Sequence, residues 1–388
     1  MTGSTRKRGK TWTAYWWVRN PEGQQVQRSK GGFATKRAAQ GHLTTTLAAI
    51  GDGSYTEVTD RAITVGQYLQ HQWLPSVRSA GTRSGEPRRA STVASYEVAV
   101  ESWIVPHLGG VRLVALTPRA VESMLDTLAE SGGKRGQPLS GRSRQYAYST
   151  LRMAVDHAVK RGYLPRNPVA VVARPGATRR AMTSWTGAEA QAFLAGAAND
   201  RLYTAFVLFL ARGPRRGELA GLRWSDVDLD AGTLRITRTR VSVGGAVVDS
   251  TPKTEAGRRT LHLDAGLVSV LRRHRAAQLE ERLAAGAAWT DTGHVFVRED
   301  GTPCHPEHLS DRFERLCAAT GVRRIRLHDA RHTAASLMLA DGTPVKVAAE
   351  MLGHANPAIT QGIYQHVLPG MAEDAGTRHS AALGIVAT

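Results

Sequence analysis

"RLHDARHTAASLMLADG" (residues 326–342) places His328 and Arg331 three positions apart, a spacing that puts both side chains on one face of a helix. His332, four positions after His328, offers a second interpretation, because two histidines at that spacing form half of a metal site. A zinc protease helix carries a glutamate directly after its first histidine, and this stretch lacks one. The stretch therefore favours a histidine–arginine pair over a metal site.

A second stretch, "GPRRGELAGLRWSDVDL" (213–229), pairs an arginine with a glutamate. Gly213 and Pro214 can start a helix, and Arg215 and Glu218 then lie three apart on one face. The pair has two interpretations. One is a surface ion pair, which contributes little. The other is an arginine held by a carboxylate and aimed at phosphate, whose oxygens can accept two hydrogen bonds from its planar fork.

Two further stretches add one candidate and one question. "TPKTEAGRRTLHL" (251–263) places Lys253 in a loop before a strand, where a lysine is ordinarily solvated. "LGHANPAITQGIYQHV" (352–367) holds His354 and, ten residues later, Tyr364. The tyrosine is either an ordinary amphipathic side chain or a nucleophile, and only the rest of the chain can decide.

Taken in order, these residues resemble the catalytic set of the tyrosine recombinases, the phage integrase family: Arg215, Lys253, His328, Arg331, His354 and Tyr364. The resemblance covers about 185–368 and rests on the boxes "RRGELAGLRW", "HDARHTAASLML" and "LGHANPAITQGIYQHV". Pro214 and Ala330 depart from the residues more usual at their positions, but every matched catalytic position is filled.

The resemblance implies that Tyr364 attacks a DNA phosphate and displaces a 5′-hydroxyl, leaving a 3′-phosphotyrosine. Lys253 is then the general acid that protonates the leaving oxygen. A phenolate, whose phenol has a pKa of about 10, leaves more readily than an alkoxide, so a 5′-hydroxyl can reverse the step. Strand exchange therefore needs no ATP.

The resemblance also implies how the phosphate is held. Arg215 and Arg331 bind its non-bridging oxygens and offset the charge of the transition state. His328 assists proton transfer, and His354 donates a hydrogen bond to the phosphate. Glu218 orients Arg215. Because these cations supply the charge that a metal supplies elsewhere, no metal and no cofactor are expected.

Composition points to a polyanionic partner. The chain has 388 residues with 51 Lys+Arg against 33 Asp+Glu, a net charge of +18. Nucleic acid is the usual partner of such an excess, and a merely basic soluble protein is the alternative. The first 53 residues are especially basic, and their expected DNA contacts are Arg6, Lys7, Arg8, Lys10, Lys30, Lys36 and Arg37.

The pattern along the chain predicts three domains. "TWTAYWWVRN", the turn "NPEG" and "QQVQRSK" predict two strands, with a helix capped by Thr35 behind them. Residues 1–53 are thus a small α+β domain with a short antiparallel sheet, and the resemblance implies that it is an arm-type DNA-binding domain. Linker 54–62 leads to an all-α domain, 63–172, with a helix start at Thr117 and Pro118. The resemblance implies that this is the SAM-like core-binding domain. Linker 173–184 precedes a mainly α catalytic domain, 185–388, with a small antiparallel sheet from "GTLRITRT", "VSVGGAVVD" and "RRTLHL" and a C-terminal tail.

Together with these features, the resemblance implies a site-specific integrase that integrates and excises a mobile element, either a phage or an integrative plasmid. The alternatives are a dimer-resolving tyrosine recombinase and a catalytically idle DNA-binding regulator. The partners that the resemblance implies are double-stranded DNA at core and arm sites and a homotetramer in the synapse, with room for accessory DNA-bending or excision factors. Two cysteines, no secretory signal and a longest apolar run of about half a membrane span favour a bacterial cytoplasmic, nucleoid-associated protein without a membrane partner.

Overall fold

The computed structural model describes residues 3–19, 25–51, 62–81, 85, 87–177, 183–252, 257–354, 356, 380 and 383–384. The chain divides into two compact units, Met1–Arg179 and Arg180–Thr388. Within the described residues, no helix is both long enough and apolar enough to span a bilayer.

The first unit begins with a three-stranded antiparallel sheet and one helix: β1 (Gly3–Arg8), β2 (Thr11–Arg19), β3 (Gln25–Phe33) and α1 (Lys36–Gly51). Alternate residues of β2, Ala14, Trp16 and Val18, are buried against Leu43 of α1. The predicted sheet and helix are confirmed, and Thr35 accepts a hydrogen bond from the Ala38 N–H at 3.2 Å. Strand β1 was not predicted. Its mostly exposed, basic residues give no apolar alternation, although such charges suit an edge strand.

The rest of the first unit is helical and shares one apolar core. Its helices are α2 (Val65–Tyr68), α3 (Leu74–Ser79), α4 (Ala90–Val98), α5 (Val105–Leu108), α6 (Pro118–Ser131) and α7 (Gly141–Lys160), with 3₁₀ turns at Leu113–Ala115, Lys134–Gly136 and Pro168–Val171. Thr117 caps α6 as predicted, because its side chain accepts a hydrogen bond from the Ala120 N–H.

Two π-helical segments, Leu69–Trp73 and Ala99–Ile104, interrupt these helices. Each ends two residues before a proline, Pro75 or Pro106. Proline has no N–H to donate to the carbonyl four residues earlier, so the backbone changes its hydrogen-bond pattern over the preceding turn. Helical spacing in the sequence predicts a regular helix up to Ile104 and gives no sign of this change.

The second unit is mainly α with two small sheets. Its helices are α8 (Gly187–Gly196), α9 (Tyr203–Arg212), α10 (Arg216–Ala220), α11 (Ala265–Ala285), α12 (Pro306–Thr320), α13 (Leu327–Ala340) and α14 (Val345–Leu352), with 3₁₀ turns at Trp224–Asp226 and Gly286–Ala288. Its strands are β4 (Val227–Asp228), β5 (Thr233–Ile236), β6 (Thr239–Val243), β7 (Ala246–Ser250) and β8 (Arg259–His262). They form an antiparallel sheet β4-β5-β8 and a hairpin β6-β7.

The sequence suggests that the run "VSVGGAVVD" is one strand. In the structure it contains the end of β6, a two-residue turn and most of β7. Gly244 (φ 58°) and Gly245 (φ 84°) both lie in the left-handed region, and the strands β6 and β7 pair across them. A two-residue hairpin turn favours positive φ at both positions, which glycine adopts without steric cost.

Aromatic packing forms the core of the second unit. Trp185, Phe193, Phe206 and Phe313 contact one another with ring centroids 4.9 to 5.7 Å apart. Helix α9 is buried along most of its length, as its apolar sequence predicts. Because α9 is anchored in this core, the core also positions the end of α9 and the turn that leads from it into α10.

Candidate active site

Arg215 lies at the start of α10 and is held by Glu218 within the same turn. Its backbone is extended (φ −76°, ψ 150°), so Arg215 caps the helix instead of lying on its face. Glu218 accepts hydrogen bonds from the Arg215 backbone N–H at 2.8 Å and from its Nη1 at 2.7 Å. The Glu218 side chain is 2% exposed and that of Arg215 42% exposed. The pair is therefore not a surface ion pair but an exposed cation on a buried anchor.

Glu218 also holds a second arginine, Arg259 of β8. Arg259 donates from Nη2 at 2.9 Å and from Nη1 at 3.2 Å to the two carboxylate oxygens. Burial raises the pKa of Glu218, but the hydrogen bonds and charge of Arg259 and the hydrogen bonds from Arg215 outweigh it, so the pKa lies below its usual value. Glu218 is therefore an anion at neutral pH, which suits it to orienting arginines and not to transferring protons.

Arg331 is buried on α13 and donates to two backbone carbonyls. Its Nη1 donates to the Gly213 oxygen at 2.6 Å, and its Nη2 donates to the Leu352 oxygen. Burial lowers the pKa of Arg331, and the nearby charges of Arg215 and Arg259 lower it further, while Glu218 opposes them. Because like charges lie beside this buried guanidinium, an anion placed next to it would offset their repulsion.

Gly213 makes this contact possible through its backbone. It ends α9 in the left-handed conformation (φ 59°, ψ 38°), which turns the chain toward Pro214 and Arg215. A Cβ at this position would lie 2.4 Å from Leu352 Cδ2, closer than side chains pack. Only glycine combines this φ with this close approach.

Three consecutive carbonyls at the end of α14 accept hydrogen bonds from three different arginines. The Met351 oxygen accepts from Arg259 Nε at 2.7 Å, the Leu352 oxygen from Arg331, and the Gly353 oxygen from Arg215 Nη2 at 2.7 Å. The last carbonyls of a helix have no partner within the helix and carry partial negative charge, so they suit guanidinium donors. We call these three oxygens the carbonyl hub.

His354 directly follows the carbonyl hub and lies in a positive field. Burial, then the charges of Arg331 and Arg215, lower the pKa of His354 to about 4. Its imidazole is therefore neutral at neutral pH and can donate one N–H. An anion placed between these cations would raise that pKa again.

His328 and His332 lie one turn apart on α13, with ring centroids 5.2 Å apart and the rings edge to face. Burial lowers both pKa values, and the charge of Arg331 contributes to each. In the part of the chain that the structure describes, no group of three or more His, Cys, Asp or Glu side chains could hold a metal ion. The histidine pair thus gains no third ligand there.

The predicted residues fall into three groups. Arg215, Glu218, Arg331 and His354 are brought together, with His328 on the turn of α13 before Arg331. Lys253 and Tyr364 lie outside the described residues. The N-terminal candidates lie in the first unit, where all are exposed: Arg6, Lys7, Arg8, Lys10, Lys30, Lys36 and Arg37.

Arg259 was missed. A signal for it exists in "RRTLHL", because Arg259 alternates with Leu261, which is buried, so an arginine occupies an inward position of a strand. Its partners Glu218 and Met351 lie 41 and 92 residues away in sequence, and no local pattern identifies them.

Chemically, the described side chains form a cradle for an anion. The cradle consists of the exposed guanidinium of Arg215 and the buried one of Arg331. Arg215 is held by the Glu218 carboxylate and a backbone oxygen, and Arg331 is held by two backbone oxygens. Arginine forks of this kind match the oxygens of a phosphate.

Two families match the chain by sequence: the phage integrase family over residues 185–370 and an arm DNA-binding domain over residues 4–50. A tyrosine recombinase XerC-like protein of Caldanaerobacter subterraneus is 27% identical, with 90% of each chain covered. An integrase of Streptomyces ambofaciens is 29% identical, over 89% of this chain and 86% of the relative.

Solved structures show the same fold. The Tn1549 transposon integrase in complex with transposon right end DNA aligns with a TM-score of 0.64 at 18% identity, covering 83% of this chain and 100% of that one. A lambda integrase tetramer bound to a Holliday junction aligns with a TM-score of 0.58 at 18% identity, covering 90% and 92%. The arginine cradle, the sequence matches and the fold agree, and residues 185–370 form a catalytic domain of the phage integrase family, the tyrosine recombinases.

Proposed function

We propose that this chain is an integrase that cuts and rejoins DNA strands at specific sites through a 3′-phosphotyrosine intermediate, and so integrates and excises a mobile element. The observation that carries the proposal is the cradle: Arg215 and Arg331 are anchored on neighbouring carbonyls, Gly353 and Leu352. Two cations fixed this way can stabilise a phosphoryl transition state without moving during the reaction.

In the proposed reaction the phenol oxygen of Tyr364 forms a bond to the scissile phosphorus, and the bond from phosphorus to the 5′-oxygen breaks. The phenol proton leaves with the help of His328, and Lys253 gives a proton to the 5′-oxygen. Religation is the reverse, with a 5′-hydroxyl attacking the phosphotyrosine. Neither cleavage nor religation consumes a cofactor in this scheme.

The neutral state of His354 fits its proposed role. Because its pKa is lowered to about 4, the imidazole donates a hydrogen bond to the phosphate as a neutral group. The net positive charge of the cradle then comes from the two arginines and from Lys253, and the proposed chemistry runs without metal.

For the N-terminal sheet we propose binding to arm-type DNA sites. The supporting observation is a set of cations stacked on aromatic rings: Arg6 lies over Tyr15 at 5.6 Å, Lys36 over Trp12 at 5.7 Å and Lys30 over Phe33 at 5.9 Å. Such contacts hold exposed charges on a rigid surface. The arm domain match over residues 4–50 favours an integrase over a dimer-resolving recombinase.

The proposed partners are core-site and arm-site DNA, with a homotetramer in the synapse and room for accessory DNA-bending or excision factors. The tetramer of lambda integrase on a Holliday junction supports this assembly. The proposed place of action is the bacterial cytoplasm, at the nucleoid.

Covalent capture tests the proposal. The full chain is incubated with a pool of nicked duplexes whose sequence is randomised, in the presence of excess EDTA, and DNA that stays attached after denaturation is sequenced. A recovered core site attached through its 3′-phosphate is the expected result. Specific DNA binding without any adduct would indicate the idle regulator, and an adduct that requires added zinc or magnesium would revive a metal at His328 and His332.

A further inference from the structure

Arg259 is buried and joins three elements of the second unit. Its side chain is 7% exposed. Through one planar fork it contacts Glu218 of α10, the Met351 carbonyl at the end of α14, and the Gly257 carbonyl before its own strand at 3.2 Å. Burying an arginine is costly unless its donors are satisfied, and here each guanidinium nitrogen has an acceptor.

The two oxygens of Glu218 are shared between Arg259 and Arg215. Oε1 accepts from Arg215 Nη1 at 2.7 Å and from Arg259 Nη1 at 3.2 Å. Oε2 accepts from the Arg215 backbone N–H at 2.8 Å and from Arg259 Nη2 at 2.9 Å. Arg259 thus holds the same two carboxylate oxygens as Arg215, and the orientation of Arg215 depends on it.

The carbonyl hub gives Arg259 a second route to the same site. By holding the Met351 oxygen, Arg259 fixes the end of α14, whose next two carbonyls hold Arg331 and Arg215. The residue after the hub is His354, and Tyr364 follows ten positions later in the chain.

We propose that Arg259 is a positioning residue for strand cleavage: through Glu218 and the carbonyl hub it sets the guanidinium of Arg215 and the end of α14 for the scissile phosphate. The proposal rests on the proposed function. It assigns no contact between Arg259 and DNA. Loss of Arg259 should therefore lower the reaction rate and leave DNA affinity nearly unchanged. Lysine cannot replace Arg259, because an ammonium lacks the planar fork that reaches Glu218 and Met351 together.

The test uses the full chain and a nicked duplex carrying the recovered core site, and measures single-turnover formation of the covalent adduct. Arg259→Met, close in length and uncharged, should slow the reaction roughly 10- to 100-fold, the effect of a small misplacement of a catalytic group. DNA affinity should change by no more than about threefold, because the proposal assigns Arg259 no contact with DNA. Arg259→Lys should fold more stably than Arg259→Met and still react slowly.

Arg312→Met is the matched control, because Arg312 also pairs with a buried carboxylate, Asp200, which is 3% exposed. It should lose stability to urea while keeping the parent rate. In an Arg215→Lys background, Arg259→Met should cost no more than about threefold, because the residue it positions is already altered.

The outcomes separate the two proposals. Without an adduct from the parent chain on a site that it binds, the proposed function itself fails. A parent that reacts, together with Arg259→Met at the parent rate, overturns the positioning role alone. The same loss of rate with and without Arg215, or an equal loss of rate in Arg312→Met, would mean that Arg259 only stabilises the fold.

Discussion

Glu218 is the buried residue that holds Arg215 in the site. Two arginines donate four hydrogen bonds to its carboxylate, so its charge is compensated although it is 2% exposed. Removing one partner of such a group leaves a buried charge unpaired, which is strongly destabilising. The arrangement therefore keeps Arg215 in place and leaves its outer face open to an anion.

His354 should make the second unit less stable in acid. Burial and the charges of Arg331 and Arg215 lower its pKa from 6.5 to about 4. The unfolded chain therefore takes up a proton on His354 between about pH 6.5 and pH 4 that the folded unit does not. The free energy of unfolding falls as the pH falls through this window, by about 1.4 kcal/mol for each unit of pKa difference.

Urea unfolding across that window measures the effect. His354→Gln cannot be protonated, so its free energy of unfolding should depend less steeply on pH than that of the parent. His308→Gln, exposed on α12, is the control for the histidine-to-glutamine change itself. Equal pH dependence in His354→Gln and the parent would show that His354 is not held in a positive environment.

At this scale the sequence predicted the Arg215–Glu218 contact and missed the residue behind it. The contact spans only three residues, so a short stretch of sequence suggests it, although the structure forms it through the helix cap and not through the helix face. Arg259 of β8 and Glu218 of α10 are 41 residues apart in sequence, and only the tertiary fold brings their side chains together. Arg215 also proved to be the helix cap, because Gly213 and Pro214 delay the first helical residue to Arg216.

Among the elements, the end of α9 controls the cradle. Gly213 holds a left-handed φ of 59° and lies against Leu352, while its carbonyl accepts from Arg331. Gly213→Ala should strain the backbone and push against Leu352, at the carbonyl hub. The free energy of unfolding should decrease by about 1 to 3 kcal/mol more than it would for an alanine at a left-handed position that has no close contacts.

Gly321→Ala supplies that comparison. Gly321 ends α12 with φ 69°, and no atom lies within 4 Å of a Cβ there. Urea unfolding should therefore rank Gly213→Ala as the less stable variant, and only Gly213→Ala should also slow adduct formation. The reverse ranking would mean that the contact with Leu352 relaxes at no cost.

Element boundaries were predictable where periodicity or capping is strong. The helix start predicted at Thr117 and Pro118 is in place, because Thr117 caps α6. The hairpin turn at Gly244 and the π segments were not predicted. Apolar spacing alone does not separate one strand from two short ones, nor an α-helix from a π-helix.

For the whole molecule, residues 1–53 should supply binding to a second class of DNA site. They carry nine Lys and Arg against two acids, Glu22 and Asp52, a net charge of +7. Removal of each phosphate-binding cation should flatten the log–log salt dependence of DNA binding by about 0.9. A chain without residues 1–53 should still cleave an isolated core site, but it should no longer bind the flanking sites or integrate efficiently.

Footprinting of both proteins on a full attachment region checks this. The intact chain should protect the core and the flanking sites, and the deletion only the core. Protection of the same flanking sites by both would assign residues 1–53 to packing or assembly. The boundaries of the three predicted domains stay predictions, although the chain divides into two units between Arg179 and Arg180.

The central claim, that Tyr364 is the nucleophile, has a direct test in covalent capture. Tyr364→Phe keeps the ring and removes only the attacking oxygen. Tyr203→Phe is the matched control, since Tyr203 is the other tyrosine of residues 185–388. With the core-site duplex, Tyr364→Phe should bind DNA as tightly as the parent and form no adduct, while Tyr203→Phe should form one. A protein–DNA adduct that persists in Tyr364→Phe would contradict the account and place the nucleophile elsewhere.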